Sequence, residues 1–255
     1  MWIISTVRGL ALLGHRVGLS GPLDINVAEN VNVRLFPSSN RCEKRALAGV
    51  HIWDARERQA LDEALSNHKA DNPFVFVDVG ANVGLYTLFV HASAKQLNQS
   101  VKLLAIEPDL ENRNRLSFNL EASLCNAEVD PSGVAGEAGT GFLSEARKNR
   151  GEVHVSSRGT GQEINLNTLE NIVIEHGLDH IDAMKVDIEG HDLAALQSFL
   201  KSAPTDLWPK LLIVETQKNS DSEVVVMLKE HDYKLQERAG INAIMTYSRP
   251  PADQG

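Results

Sequence analysis

Several things are scarce in this chain, and each scarcity excludes something. Cysteine occurs twice, as Cys42 and Cys125, far apart and outside any Cys-x-x-Cys pair. That removes a disulfide framework and a cysteine-rich zinc site. Basic residues are outnumbered: 25 Lys and Arg stand against 34 Asp and Glu, a formal net charge of −9. An acidic chain is repelled by polyanions, which argues against nucleic acid as a sequence-independent partner. Long apolar runs are missing too. Met1 to Leu23 comes nearest, but Arg8, Gly9, Gly14, His15 and Arg16 interrupt it, whereas a spanning helix needs about 20 mainly apolar residues. Its first basic residue follows its first apolar run, and no small-residue cleavage site follows, so it does not read as a signal peptide. The expectation is a packed or frayed N-terminal arm, no stable membrane insertion and a cytoplasmic location. A shallow contact with a membrane surface is the alternative. No internal repeat is present.

What remains is an ordinary globular composition, 42% apolar and 23% charged. Wholesale disorder is excluded, and a chain this long can bury roughly three quarters of its unfolded surface in one core. Val31 to Leu65 mixes short alternating runs with a charged helical stretch from Asp54, and reads as a lead-in over the main sheet. From Phe74 the pattern turns regular. Strands are expected at Phe74 to Val79, Val101 to Ile106, Ile181 to Val186 and Leu211 to Val214. Helices are expected at Val83 to Ala94, from an Asp109 cap to about Leu124, at Asp192 to Lys201 and at about Asp221 to His231. Strand alternating with helix is the mark of an α/β fold, a parallel sheet with helices on both faces. Pro131 to Gln162 is dense in glycine and reads as turns and mobile loop, either an inconsequential insertion or a substrate-facing flap. The domain division is then 1–70 as arm and lead-in, 71–250 as the main domain with the 131–162 loop, and 251–255 as a polar tail.

The stretch FVFVDVGANVG, Phe74 to Gly84, sets a glycine turn between a strand and a helix. Gly80 allows a tight reversal, and Gly84 lets the helix approach the sheet. A dinucleotide site has a further glycine two positions after the first, where the pyrophosphate meets the backbone. Here that position is Asn82, and Asp78 adds negative charge beside it. Both disfavour phosphate and favour a cationic or zwitterionic ligand. The second strand ends at Glu107, 23 positions after Gly84. An acid there accepts hydrogen bonds from ribose hydroxyls. Together these describe a grip on a nucleoside without a pyrophosphate. S-adenosyl-L-methionine fits: it has ribose, adenine and a sulfonium, and no phosphate.

The segment IDAMKVDIEGHD, Ile181 to Asp192, is the most unusual in the chain. Asp187 and Glu189 follow the fourth strand, and ligands of open parallel sheets bind at strand carboxyl ends. An acid such as Glu189 or Asp192 could merely complement the helix N-terminus, but Lys185 with the whole set points to function. His191, in the first helical turn, would be kept neutral by the helix dipole and able to take a proton; a surface or structural role is the plainer reading. Asp187 and Glu215 cap neighbouring strands. They could share a divalent cation or orient substrate hydroxyls, and no metal is assigned.

These motifs resemble the FkbM family of S-adenosylmethionine-dependent methyltransferases. The resemblance is carried by VDVGANVGLYT (Val77 to Thr87), AIEPD with a downstream Asn119 (Ala105 to Asp109), IDAMKVDIEGHDLAALQ (Ile181 to Gln197) and LLIVET (Leu211 to Thr216), in the family's order and spacing. It implies a Rossmann-like class I methyltransferase with a seven-stranded, mostly parallel sheet, its last strand antiparallel and supplied by Tyr233 to Tyr247. It implies S-adenosyl-L-methionine held by Asp78, Gly80, Asn82 and Gly84, by Glu107 with Pro108, and by Asp187. Ala135 and Glu137 would lie near adenine, where the family usually carries Ser and Asp in place of Gly136 and Glu137. Asp192 stands where the family often has Glu. The implied activity is O-methylation of a hydroxyl on a sugar, polyketide, lipid or related small molecule, with Asp187, Glu189 or His191 taking the hydroxyl proton. A homo-oligomer is left open. Three other readings compete: a nicotinamide-dependent oxidoreductase, disfavoured by Asn82; a non-catalytic nucleoside-binding module, disfavoured by the presence of Asp78 and Glu107; and a nucleic-acid N-methyltransferase, disfavoured by the sequence Val186 to Gly190 and the acidic charge.

Overall fold

The computed structural model describes residues 21–49, 53–69, 71–143, 155–156, 161–188, 190–216 and 222–248. The N-terminal arm before residue 21, Glu189, the middle of the 131–162 segment and the C-terminal tail lie outside the described residues. A hairpin of β1 (Leu23–Ala28) and β2 (Val31–Leu35) leads into α1 (Arg41–Ala48) and α2 (Ala55–Asn67). Then follow β3 (Phe74–Val79), α3 (Leu85–Leu97), β4 (Val101–Ile106), α4 (Leu110–Ala122) and β5 (Glu128–Asp130). The second half adds β6 (Gly133–Val134), β7 (Gly139–Leu143), β8 (Val155–Ser156), β9 (Gln162–Asn167), α5 (Leu169–Glu175), β10 (Ala183–Val186), α6 (Asp192–Ser202), β11 (Leu211–Glu215), α7 (Glu223–Glu230), β12 (Lys234–Ala239) and β13 (Asn242–Thr246).

Seven strands form the main sheet in the order β12-β13-β11-β10-β3-β4-β5. β13 runs antiparallel to both of its neighbours. The β10–β11, β10–β3, β3–β4 and β4–β5 pairs are all parallel. β3 lies centrally and all six of its residues are buried. Its side chains alternate between two cores, as a period of two requires. Phe74 and Phe76 join one core with Leu88, Leu103 and Leu116. Val75, Val77 and Val79 join the other with Met184, Leu196, Phe199 and Leu228. The lead-in shares the first of these cores through Val31, Val33, Leu35, Trp53, Leu61 and Leu65. α4 begins at the expected cap, with the Asp109 carboxylate accepting from Asn112 N at 2.8 Å. Among the described residues no helix is long and apolar enough to cross a membrane.

The glycine-dense segment differs from its expectation as turns and mobile loop. Its described parts enter a second, four-stranded sheet of order β6-β9-β7-β8. The glycines there provide room for close packing. A Cβ at Gly133 would sit 2.7 Å from Ile164 Cδ1, and one at Gly141 would sit 2.9 Å from Leu166 Cδ1. Counting glycines as breakers hides this use, since a glycine in a strand also marks a close approach. The short α5 between the two sheets also escapes the sequence reading.

Candidate functional site

The carboxyl ends of β3, β4, β10 and β11 lie side by side. Val79 is in register with Ile106 on one side and with Val186 on the other, and Val186 with Val214. The chains leaving these ends build the site. Asp78, near the end of β3, is 1% exposed. Its Oδ2 accepts from Thr87 N at 3.2 Å and Thr87 Oγ1 at 2.8 Å. Its Oδ1 is buried with no hydrogen-bond partner among the described residues. Burial pushes the carboxyl above its usual range, against the opposing pull of the Lys185 ammonium and Thr87.

Gly80 turns the chain with φ +77°, and a Cβ there would lie 2.0 Å from the Asp187 carbonyl oxygen. The first turn and the chain leaving β10 therefore meet backbone to backbone, which any side chain would prevent. Gly84 is the N-cap of α3, at φ +82°. Its Cβ would come 2.3 Å from Leu116 Cδ1 on α4, so the closeness it permits is to the neighbouring helix and not to the sheet. Asn82 sits in the left-handed region at φ 54°, a conformation asparagine tolerates better than most residues. Its backbone N donates to Glu107 Oε2 at 2.8 Å, and its Oδ1 accepts from Asn40 Nδ2 at 2.7 Å.

Glu107 is 6% exposed. Its Oε1 accepts from Asp109 N at 3.0 Å and from Asn112 Nδ2 at 3.4 Å. With Asn82 N on Oε2, the carboxylate is fixed by the turn and by the start of α4. Two carboxylate oxygens offer about four acceptor positions, so capacity for a ligand hydroxyl remains. Burial raises the carboxyl to about 7, against the hydrogen bonds that favour its ionised form. The Pro108 carbonyl accepts from Arg113 Nη1, which ties this corner to α4. Ala135 donates its N–H to the Asn167 carbonyl at 3.0 Å. The next carbonyl, of Gly136, accepts from Ser198 Oγ on α6 at 2.8 Å. Glu137 is exposed.

After β10, Asp187 Oδ2 lies 3.0 Å from Lys185 Nζ. Burial alone would raise the Asp187 carboxyl, but the Lys185 ammonium, its hydrogen bond and one from Glu215 outweigh it and hold the group below the usual range. Lys185 also donates to the Gly80 carbonyl at 3.3 Å and stands 5.3 Å from the Tyr86 ring centroid. Its ammonium is buried, which alone would favour the neutral amine, yet Asp187 and Asp78 keep it charged. The Asp187 side chain is 38% exposed where Lys185 is 9%, so the acid reaches the crevice and the base anchors it. His191 occupies the N-cap of α6, one place before the first turn expected for it, and makes no side-chain cap there. Asp192 shapes the loop: its carboxylate accepts from Ile188 N and Gly190 N, each at 3.1 Å. Glu189 lies outside the described residues. Among the described residues no group of three or more His, Cys, Asp or Glu side chains is placed to hold a metal ion.

Several neighbours of the site were not singled out from sequence. Thr87 holds Asp78. Tyr86 donates its hydroxyl to Asp54 Oδ2 at 3.1 Å. Asp54 sits at the start of α2 with φ 44° and does not cap it; it accepts from Arg45 Nη2 at 2.8 Å instead. Cys42 lies near Lys185, and burial keeps its thiol neutral, pushed up to about 12. Asn40 carries one local signal, the pattern Asn-x-x-Glu at Asn40 to Glu43, which marks a helix start and says nothing of the site.

The sheet order with its one antiparallel strand, the glycine turn after β3 and the acid ending β4 define a class I methyltransferase domain. More narrowly, the model of the methyltransferase FkbM domain matches residues 78–235, and the chain belongs to that family. The cofactor of this domain is S-adenosyl-L-methionine. The chain is similar to "Methyltransferase sdnD" of Sordaria araneosa, 29% identical over 185 residues, which span 58% of this chain and 68% of that one. Among solved structures it is similar to an FkbM methyltransferase of Methylobacillus flagellatus KT, with TM-score 0.48 and 17% identity. That match covers 81% of this chain and 52% of the other, so this chain spans about half that protein's length. It is also similar to an S-adenosylmethionine-dependent methyltransferase of Agrobacterium tumefaciens, with TM-score 0.48 and 11% identity, over 89% of this chain and 68% of that chain.

Proposed function

We propose that this domain transfers a methyl group from S-adenosyl-L-methionine to a hydroxyl of a small molecule, such as a sugar, polyketide or lipid. The observation that carries the cofactor's placement is Asp78 Oδ1, a buried carboxylate oxygen with no partner among the described residues. A group of that kind costs about 1–3 kcal/mol unless something completes it. It sits beside the glycine turn at the carboxyl ends of the strands, so a cationic ligand donor meets its need. Asp78, Gly80, Asn82 and Gly84 would hold the amino-acid half, Glu107 with Pro108 the ribose, and the Ala135–Glu137 segment the adenine side.

Bound, the cofactor supplies an electrophilic methyl carbon on a sulfonium. The protein's share is to align an acceptor oxygen and receive its proton. Asp187 suits both tasks. It is half-exposed, held by Lys185 as a carboxylate, and so accepts a hydrogen bond from a hydroxyl without first losing a proton. A low pKa makes it a weak base for a free alcohol. Its proton transfer therefore belongs late, when the oxygen is already forming its bond to carbon and has become acidic. Glu189 and His191 are the other candidates for that step. The net charge of −9 favours a neutral small acceptor over nucleic acid.

Titration calorimetry with S-adenosylhomocysteine and with NAD tests the cofactor assignment. Saturable binding of the first alone is expected; tight NAD binding without it would overturn the reading. Labelled methyl transfer into a metabolite extract, resolved by mass, tests the acceptor class. A methyl ether supports it, and a methylated amine or nucleic acid refutes it.

A further inference from the structure

Asn40, on the lead-in and not on the strands, ties into the cofactor turn in a way that fixes the direction of its hydrogen bonds. Its Oδ1 accepts from two backbone groups, Cys42 N at 3.0 Å and Glu43 N at 3.3 Å. Backbone N–H groups only donate, so this end of the amide must be oxygen. The other end, Nδ2, is then the donor, and it meets Asn82 Oδ1 at 2.7 Å. Asn82 must in turn present its oxygen to Asn40, which leaves its Nδ2 as the amide's donor end. Asn40 is 2% exposed, so no water competes for the choice. Asn82 is already pinned through its backbone N on Glu107.

Building on the cofactor placement above, we propose that Asn40 is a positioning residue for cofactor binding: it sets the orientation of the Asn82 amide, so that an NH2 donor rather than a carbonyl faces the ligand. The group it serves is an oxygen acceptor of S-adenosyl-L-methionine, its carboxylate or its ribose. The start of α1 thereby dictates the polarity of the binding turn 42 positions later.

The substitution Asn40→Asp separates this role from a structural one. Aspartate keeps the capping oxygen for Cys42 N and Glu43 N. Its second oxygen now accepts, so the Asn82 amide must rotate by half a turn and donate its Nδ2 to residue 40. A hydrogen bond survives, the helix cap survives, and the ligand faces a carbonyl. The expected result is a loss of about tenfold in S-adenosylhomocysteine affinity by calorimetry, with Tm held. In an Asn82→Gly background, where glycine accepts the positive φ, Asn40→Asp should change affinity no further. Asn40→Ser keeps the capping oxygen but removes the donor that fixes Asn82 Oδ1, so its S-adenosylhomocysteine affinity should fall by a few-fold with Tm held; it carries the test if the aspartate protein does not fold, and unchanged affinity in it would then overturn the inference. Unchanged affinity in Asn40→Asp overturns the inference, as does an equal loss in the Asn82→Gly background. Failure of the wild-type chain to bind S-adenosylhomocysteine at all would instead overturn the cofactor placement on which it rests.

Discussion

The two ends of the main sheet carry charge in opposite ways. At the amino ends, a groove of about 650 Å³ is lined by Phe74, Asp182, Lys210, Leu211 and residues of α2. Its buried acid, Asp182, is fully engaged. Oδ2 accepts from Val75 N at 2.9 Å, Oδ1 accepts from Lys210 Nζ at 2.7 Å, and His180 and His68 lie at 3.3 and 3.5 Å. At the carboxyl ends, Asp78 keeps one buried oxygen with no partner among the described residues, and burial raises the Glu107 carboxyl to about 7. The groove at the amino ends has its buried acid satisfied. What sets the carboxyl ends apart from Asp182 is a buried acid oxygen, Asp78 Oδ1, that no described residue completes. Asp182 serves structure, joining the entries of β3, β10 and β11.

The sharpest way to break this contrast is at Asp187. Asp187→Asn removes the acceptor of the hydroxyl proton while leaving an isosteric side chain. Turnover should fall by about 10²–10⁴-fold, with S-adenosylhomocysteine affinity within about threefold of wild type. Normal turnover would remove Asp187 from the chemistry. Next in size is Gly80→Ala, which forces a Cβ into the Asp187 carbonyl at a positive φ. Stability should drop by about 2–4 kcal/mol in urea unfolding, and cofactor binding should vanish, because both turns must move. At the other end, Asp182→Ala leaves Val75 N and a nearby lysine without their acceptor. About 2–3 kcal/mol of stability should go, while S-adenosylhomocysteine affinity in the folded protein holds. If affinity falls in step with stability, the two ends are coupled and the division drawn above fails.

At the carboxyl ends, sequence reveals the strand tips far better than the lead-in packed beside them. Strands β3 and β4 fall where their apolar runs place them, since Gly80 and Pro108 bound them sharply. Asp78, Glu107 and Asp187 stand at strand ends, where position in the chain nearly fixes position in the crevice. Asn40 and Asp54 precede the sheet by 20 residues or more, and nothing local places them beside Asn82 and Tyr86. Their proximity comes from the lead-in packing on α4, where Arg34 N donates to Asn119 Oδ1 at 2.8 Å and Asn119 Nδ2 to the Val83 carbonyl at 3.0 Å. Asn119 was visible as part of a family pattern, but its task, binding lead-in to turn, is a tertiary one. Likewise the glycines of 133–141 could be seen but not interpreted, because Leu166, which needs their space, lies on another strand.

The smallest effect tests whether the unsatisfied end is tuned by pH. Glu107 rises from an ordinary 4.5 to about 7, chiefly through burial. The folded apo protein therefore keeps a proton that the unfolded chain releases above about 4.5. Its contribution to stability is full below the unfolded value and is lost as pH climbs toward 7. Other buried acids, among them Asp78 and Asp192, shift the same way, so the comparison must be with Glu107→Gln. Relative to that variant, the apo wild type should lose on the order of 1 kcal/mol between pH 5 and 7.5, read from Tm. Binding should run the other way, because ribose hydroxyls donate best to the ionised carboxylate. S-adenosylhomocysteine affinity should tighten several-fold from pH 6 to 8 in the wild type and stay level in Glu107→Gln. Opposite slopes for folding and for binding in one residue are what an incomplete site predicts. A level profile in both proteins would mean that Glu107 is as settled as Asp182, and the contrast between the two ends would rest on Asp78 alone.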